Sequence, residues 1–151
     1  MSLSRLETAL KMRDGKRLVF TNGVFDVLHA GHVRYLAQAR ALGDLLVVGL
    51  NSDLSARRLG KHPNRPVNGI EDRAEVLAAL KSVDLVVSFD EDTPELLIEA
   101  LKPEFHVKGG DYRADELAET PLVESYGGQV VIVPLLQGRS TSDMLRKLGV
   151  T

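Results

Sequence analysis

The sequence predicts an α/β fold, a doubly wound sheet of five parallel strands with helices on both faces, and three observations carry that prediction. Five short apolar runs lack polar alternation, the mark of strands covered on both sides. Segments with helical spacing lie between them, and loops bearing glycine or proline follow the runs. At 151 residues the chain has room for one full core and not for two ordinary domains, so a single domain over 1–151 is expected.

Each element has its own justification. Leu3, Leu6, Ala9, Leu10 and Met12 recur at nearly helical spacing before Asp14-Gly15, which predicts a short amphipathic helix and a turn. Residues 17–21 read as a first strand, 30–42 as a helix rich in Ala, Leu and Gln closed by Gly43, and 45–50 as a second strand. A helix over 70–80, a strand over 85–89 and a helix over 94–101 with Pro94 in its first turn continue the alternation. Strands over 104–108 and 129–133 follow, and a helix over 140–148, capped by Ser140 or Thr141, closes the chain. Right-handed crossovers then give a Rossmann-like sheet.

Composition excludes several functions. With 44% hydrophobic and 26% charged residues the chain matches an ordinary soluble globular protein. A net charge of -2 argues against a dedicated nucleic-acid binder, which needs a basic surface. The absence of cysteine removes disulfides and thiolate metal sites and fits a reducing compartment, so a cytoplasmic location is expected. Residues 1–13 resemble neither a signal peptide nor an anchor, and no membrane partner is expected.

In a doubly wound sheet ligands bind beyond the carboxyl ends of the strands. That directs attention to the loops 22–29, 51–68, 109–113 and 134–139. Residues 59–69, aperiodic and basic, are expected to form a mobile loop. In the first loop, Thr21-Asn22-Gly23-Val24-Phe25-Asp26-Val27-Leu28-His29-Ala30-Gly31-His32 puts two imidazoles three residues apart where a strand gives way to a helix. A helix start offers free N–H groups and partial positive charge, which suits a phosphate. The same pair also reads as an exposed helix cap. A zinc site lacks a third ligand at suitable spacing, so no metal ligand is assigned.

Three further constellations follow strands or flank helices. Gly138-Arg139-Ser140-Thr141-Ser142 is a hydroxyl cluster at a helix start, either a cap or a phosphate holder. Val107-Lys108-Gly109-Gly110-Asp111-Tyr112-Arg113 carries paired glycines at a turn, and Lys108 reads either as a phosphate contact or as a solvated strand end. Arg57, Arg58, Lys61 and Arg65, followed by Glu71-Asp72-Arg73, form either a solvated face or a cationic lid, with Asp72 and Arg73 alternatively a helix-start ion pair.

The first motif resembles the signature of the HxGH nucleotidyltransferase superfamily, and 138–142 resembles its second motif. Within it, Leu46 to Asp53, Arg65 to Asn68, Glu71 to Leu80, Phe89 to Pro94, Val107 to Tyr112 and Gly138 to Thr141 resemble the adenylyltransferases of heptose 1-phosphates. Val24 stands where that family has cysteine, Ser142 where it has threonine, and Lys61 follows Gly60 where lysine more often precedes glycine. Residues 134–135 lack the arginine of glycerol-3-phosphate cytidylyltransferases.

The resemblance implies transfer of AMP from ATP to a sugar 1-phosphate. It implies catalytic roles for His29, His32 and Lys61, and a nucleotide site at Asn22, Gly23, Val24, Phe25, Asp26, Gly31, Lys108, Gly109, Gly110, Asp111, Tyr112, Arg139, Ser140 and Thr141. It places the sugar phosphate at Asn51, Asp53, Arg65 and Arg73. Mg²⁺ held mainly through the ATP phosphates and a homodimer are expected with it. A cytidylyltransferase of a small alcohol phosphate and a non-catalytic nucleotide-binding domain are the alternatives.

Overall fold

The structure, a computed structural model, describes residues 3–60, 62–110, 112–134 and 141–149, with the backbone alone at Leu3 and Thr141. The strands are β1 (Leu18–Gly23), β2 (Leu45–Asn51), β3 (Leu85–Phe89), β4 (Phe105–Gly109) and β5 (Gln129–Val133). The helices are α1 (Leu3–Met12), α2 (Ala30–Arg40), α3 (Asp53–Arg58), α4 (Ile70–Ala78), α5 (Glu95–Leu101), α6 (Thr120–Ser125) and α7 (Thr141–Lys147). All strand pairs are parallel, in the order β3-β2-β1-β4-β5, as the doubly wound prediction requires.

Burial on both faces explains the unbroken apolar runs. Every residue of β2 is buried. On one side Phe20, Val47 and Val87 pack with Ala9 of α1, Leu97, Ile98 and Leu101 of α5, and Val123 of α6. On the other, Val19, Leu46, Val48 and Val107 pack with Leu36 and Ala39 of α2 and Leu77 of α4. Gly49 sits in β2 because a Cβ there would lie 2.7 Å from Phe20 Cζ.

Several boundaries depart from the sequence reading. Strand β1 runs on to Gly23, since Asn22 and Gly23 stay in register with Gly49 and Leu50. Pro94 is the N-cap of α5 and not a residue of its first turn. Helix α3 lies inside the segment expected to be loop: the Ser52 hydroxyl caps it by accepting from Ser55 N–H at 3.2 Å, and Arg57 and Arg58 end it. Those two arginines therefore belong to a helix and not to a lid, and Arg58 Nε meets Asp92 Oδ1 at 2.7 Å. A 3-10 turn (Ala114–Glu116) and α6, with Pro121 in its first turn, complete the β4–β5 crossover.

Residues 65–68 are fastened, contrary to the expected free loop. The Asp26 carboxylate accepts from Val67 N–H (2.7 Å) and Asn68 N–H (2.9 Å), and Asn68 Nδ2 donates to the Asp26 carbonyl at 3.0 Å. Lys61 of that loop lies outside the described residues, as do Asp111, Arg139 and Ser140.

Candidate active site

Strands β1 and β4 pair over three positions, Val19 with Phe105, Phe20 with His106 and Thr21 with Val107. Beyond them the two strands continue without pairing to each other, and the gap is the switch point of the sheet. At the fork the Val107 carbonyl is satisfied by hydroxyls: Thr21 Oγ1 donates at 2.9 Å and Tyr35 Oη of α2 at 3.0 Å. Burial pushes the Tyr35 phenol up to about 12, so it remains a donor through the neutral range.

A cleft of about 520 Å³ opens there. Of the expected site residues it is lined by Asn22, Gly23, Val24, Phe25, Asp26, His29, Gly31, His32, Asn51, Arg65, Lys108, Gly109 and Tyr112. Ser142 of the expected hydroxyl cluster lines it too, as do Tyr35, Leu59, Asp92, Thr93, Pro94 and Glu119, to which the sequence reading gives no role in the site. Tyr35 had a usable signal, since it follows His32 by three residues on one helix face. A larger, more open hollow of about 790 Å³ lies between the end of α1 and Glu104, away from the strand ends that carry the motifs.

The two histidines cap the helix and face the cleft at once. His29 is the N-cap of α2, and its Nδ1 accepts from Gly31 N–H at 3.0 Å. His32 Nδ1 accepts from His29 N–H at 3.3 Å, closing a reciprocal capping box. A ring nitrogen that accepts carries no proton, so in each neutral ring the proton sits on Nε2. The ring centroids are 4.0 Å apart. Burial first, and the neighbouring His29 second, push His32 down to about 4, which keeps it a neutral donor near pH 7.

Phe25 fixes His32 from the side. Its ring meets the imidazole edge-on at 5.6 Å and 62°, and its backbone takes a left-handed φ of 47°. Gly23 leaves room for it: a Cβ there would lie 3.0 Å from the Phe25 ring. Arg65 Nε lies 3.7 Å from Asp26 Oδ2, and its Nη1 donates to Ser142 Oγ in α7 at 3.3 Å, so one side chain spans both predicted motifs.

Arg73, expected at the sugar phosphate, stands elsewhere. It is 1% exposed, and its guanidinium donates to the carbonyls of Asn68 (2.9 Å), Val24 (2.8 Å) and Asn51 (2.9 Å) and to Asp53 Oδ1 (2.7 Å). Four of its five N–H donors are spent on the protein. Asp53 is correspondingly engaged, and the Asp72–Arg73 pair gives way to Asp53–Arg73. Neither Arg73, Asp53 nor Gly110 is among the cleft's lining residues. Asn51 reaches the cleft, but its Nδ2 donates to Ser55 Oγ at 3.0 Å.

A five-stranded parallel sheet with paired imidazoles on a helix start at its switch point defines the nucleotidyltransferase class, and the chain belongs to the cytidylyltransferase-like family, which matches residues 20–138. It is 54% identical over 149 residues to the D-beta-D-heptose 1-phosphate adenylyltransferase of Bordetella bronchiseptica, covering 97% of this chain and 92% of that protein. It is 56% identical over 147 residues to the bifunctional protein HldE of Geotalea uraniireducens, covering 97% of this chain and 30% of that protein. The chain thus spans under a third of the bifunctional relatives it matches. Among solved structures, the lipopolysaccharide core biosynthesis protein of Thermoplasma volcanium superposes with a TM-score of 0.66 at 31% identity, covering 83% of this chain and all of that one.

Proposed function

We propose that the cleft binds ATP with its triphosphate against the start of α2, and that the chain transfers AMP to D-glycero-β-D-manno-heptose 1-phosphate, forming ADP-heptose and pyrophosphate. The observation that carries this reading is the capping pair His29 and His32, which lines the cleft and whose Nδ1 atoms accept from backbone N–H groups, so that both rings are fixed in orientation at the start of α2. The names and high identity of the heptose relatives support the choice of substrate.

In the proposed step a phosphate oxygen of the sugar attacks the α-phosphorus of ATP while the bond to the bridging oxygen breaks and pyrophosphate leaves. Negative charge grows on the non-bridging and leaving oxygens. Donors already fixed by folding stabilise that charge without reorganising, the largest single contribution in many such reactions. His32 acts here as a neutral hydrogen-bond donor, since burial holds it at about 4.

By resemblance, Arg139, Ser140 and Thr141 are assigned to the distal phosphates, Lys61 to the leaving group, and Asp111 to the nucleotide with Gly109 and Tyr112. Arg65 and Asn51 are assigned to the sugar phosphate, whereas Arg73 and Asp53 shape the wall behind them. Among the described residues no group of three His, Cys, Asp or Glu could cage a metal, and the Asp26 carboxylate is spent on backbone. Magnesium is accordingly assigned to the ATP phosphates and water, and no role of these side chains depends on it. No helix among the described residues is long and apolar enough to cross a membrane. A cytoplasmic homodimer completes the reading, which light scattering would check.

The test is pyrophosphate release from ATP or CTP with Mg²⁺ across a panel of sugar and alcohol phosphates. ATP with the heptose 1-phosphate is expected to turn over fastest. Faster turnover of CTP with glycerol 3-phosphate would replace this reading by cytidylyl transfer, and ATP binding without turnover of any acceptor would leave only a nucleotide-binding domain.

A further inference from the structure

Beyond Asp26, two acidic residues of the cleft wall have no part in the proposed transfer: Asp92, which pairs with Arg58, and Glu119. Glu119 is 6% exposed and lines the cleft. It occupies the N-cap position of α6 with helical backbone angles (φ −77°, ψ −18°), and its carboxylate makes no cap hydrogen bond. Its ion-pair partner among the described residues is Lys108 Nζ at 3.8 Å, a distance too long for a hydrogen bond, and its charge is also felt by the buried His106. A buried carboxylate is ordinarily surrounded by donors, because leaving its oxygens without them is costly. No hydrogen bond to the Glu119 oxygens is present among the described residues, and they are not fully shut off from solvent, so a donor on a ligand in the cleft that Glu119 lines can supply one.

The neighbouring wall says which part of a ligand arrives there. Thr120 Oγ1 donates to the Ala114 carbonyl, tying the start of α6 back to the 3-10 turn, and Glu119 just before it lines the same cleft as Tyr112. Tyr112, also in the cleft, is a 52% exposed residue whose ring is the kind of flat apolar surface that suits a base. Phosphate is repelled by a carboxylate, whereas the start of α2, the positive end of the helix dipole, attracts it. The two walls therefore sort a nucleotide end to end, and the acidic one takes the uncharged, donor-bearing end.

We propose that Glu119 determines base specificity by accepting a hydrogen bond from the exocyclic amine of the nucleobase. This assignment rests on the reading of the cleft as an ATP site. A carboxylate favours the 6-amine of adenine and opposes the 6-oxo group of hypoxanthine or guanine, whose lone pairs face its own. A charge-assisted hydrogen bond gained or lost in this way corresponds to about tenfold to a hundredfold in affinity.

The decisive comparison is calorimetric binding of ATP, ITP and 2′-deoxy-ATP, each with Mg²⁺ and without sugar phosphate, to the wild-type chain and to Glu119→Gln and Glu119→Ala. Wild type is expected to favour ATP over ITP by at least about tenfold. Glu119→Gln, whose amide both accepts and donates, is expected to bring the two within about threefold, and Glu119→Ala to weaken ATP while sparing ITP. Equal wild-type affinities, or equal losses for both nucleotides in the variants, would overturn the assignment, the second by showing a structural role. A change in the ATP to 2′-deoxy-ATP ratio alone would give the carboxylate to the ribose and also overturn it. Selective ATP binding without pyrophosphate release would leave Glu119 in place while refuting the transferase reading; no ATP binding at all would refute both.

Discussion

His106 is the residue whose titration the fold resists most plainly, and replacing it should flatten the acid limb of stability. It lies on β4, 0% exposed, stacked on Phe20 at a centroid distance of 5.6 Å, and neither ring nitrogen has a hydrogen-bond partner among the described residues. Burial, partly opposed by Glu119, pushes it down from 6.5 to about 4. The unfolded chain therefore binds one more proton than the native state between those values, so stability falls as pH drops through 6.5 and the loss is complete below about 4. At 1.36 kcal/mol per unit the full loss is about 3 kcal/mol, and between pH 8 and pH 5 it is about 2 kcal/mol. Urea unfolding of wild type and His106→Leu at both pH values measures it. Taking the difference between pH values within each protein cancels the packing cost of the substitution. Wild type should lose about 2 kcal/mol more than the variant on going to pH 5. Equal losses, or a His106 ring that titrates near 6.5 by NMR, would refute the reasoning.

Three other substitutions bear on the site. His32→Gln removes a fixed donor, and kcat should fall about 10²- to 10³-fold with little change in ATP binding, read by pyrophosphate release beside calorimetry. Asp26→Asn sets an amide against two backbone N–H groups, and should cost about 2 kcal/mol and speed hydrogen exchange at Val67 and Asn68 selectively. Arg73→Lys cannot reach four acceptors in a fork, so about 3 kcal/mol should be lost, lowering Tm by about 6 °C or more in a thermal melt. An Arg73→Lys protein with unchanged Tm but weakened sugar-phosphate binding would restore Arg73 to the substrate.

The sheet was legible because parallel strands buried on both faces leave continuous apolar runs, as in 45–50, and the paired histidines because their helix start is local in sequence. What escaped was short or distant. Helices α3 and α6 have six residues each, too few to display a period, although Ser52 with Ser55 and Thr120-Pro121 were start signals. Arg73 looked like a ligand because sequence gives a charge without its direction, and its acceptors at Val24 and Asn51 are 49 and 22 positions away. Glu119 reaches Lys108 only after the chain folds back through a 3-10 turn. For the histidines the structure shows the capping role, through Nδ1 in both rings, and places both on the wall of the cleft.

The fork between β1 and β4 has a mechanical side. Three residue pairs join those strands, whereas six join β1 to β2 and five join each outer pair, so the sheet is two stiff plates sewn by its shortest seam. A molecule lying across the cleft touches both plates and closes the seam from above. Ligand should therefore slow the opening of β1 from β4 more than that of any other strand pair, and the protein would be stitched shut by what it binds.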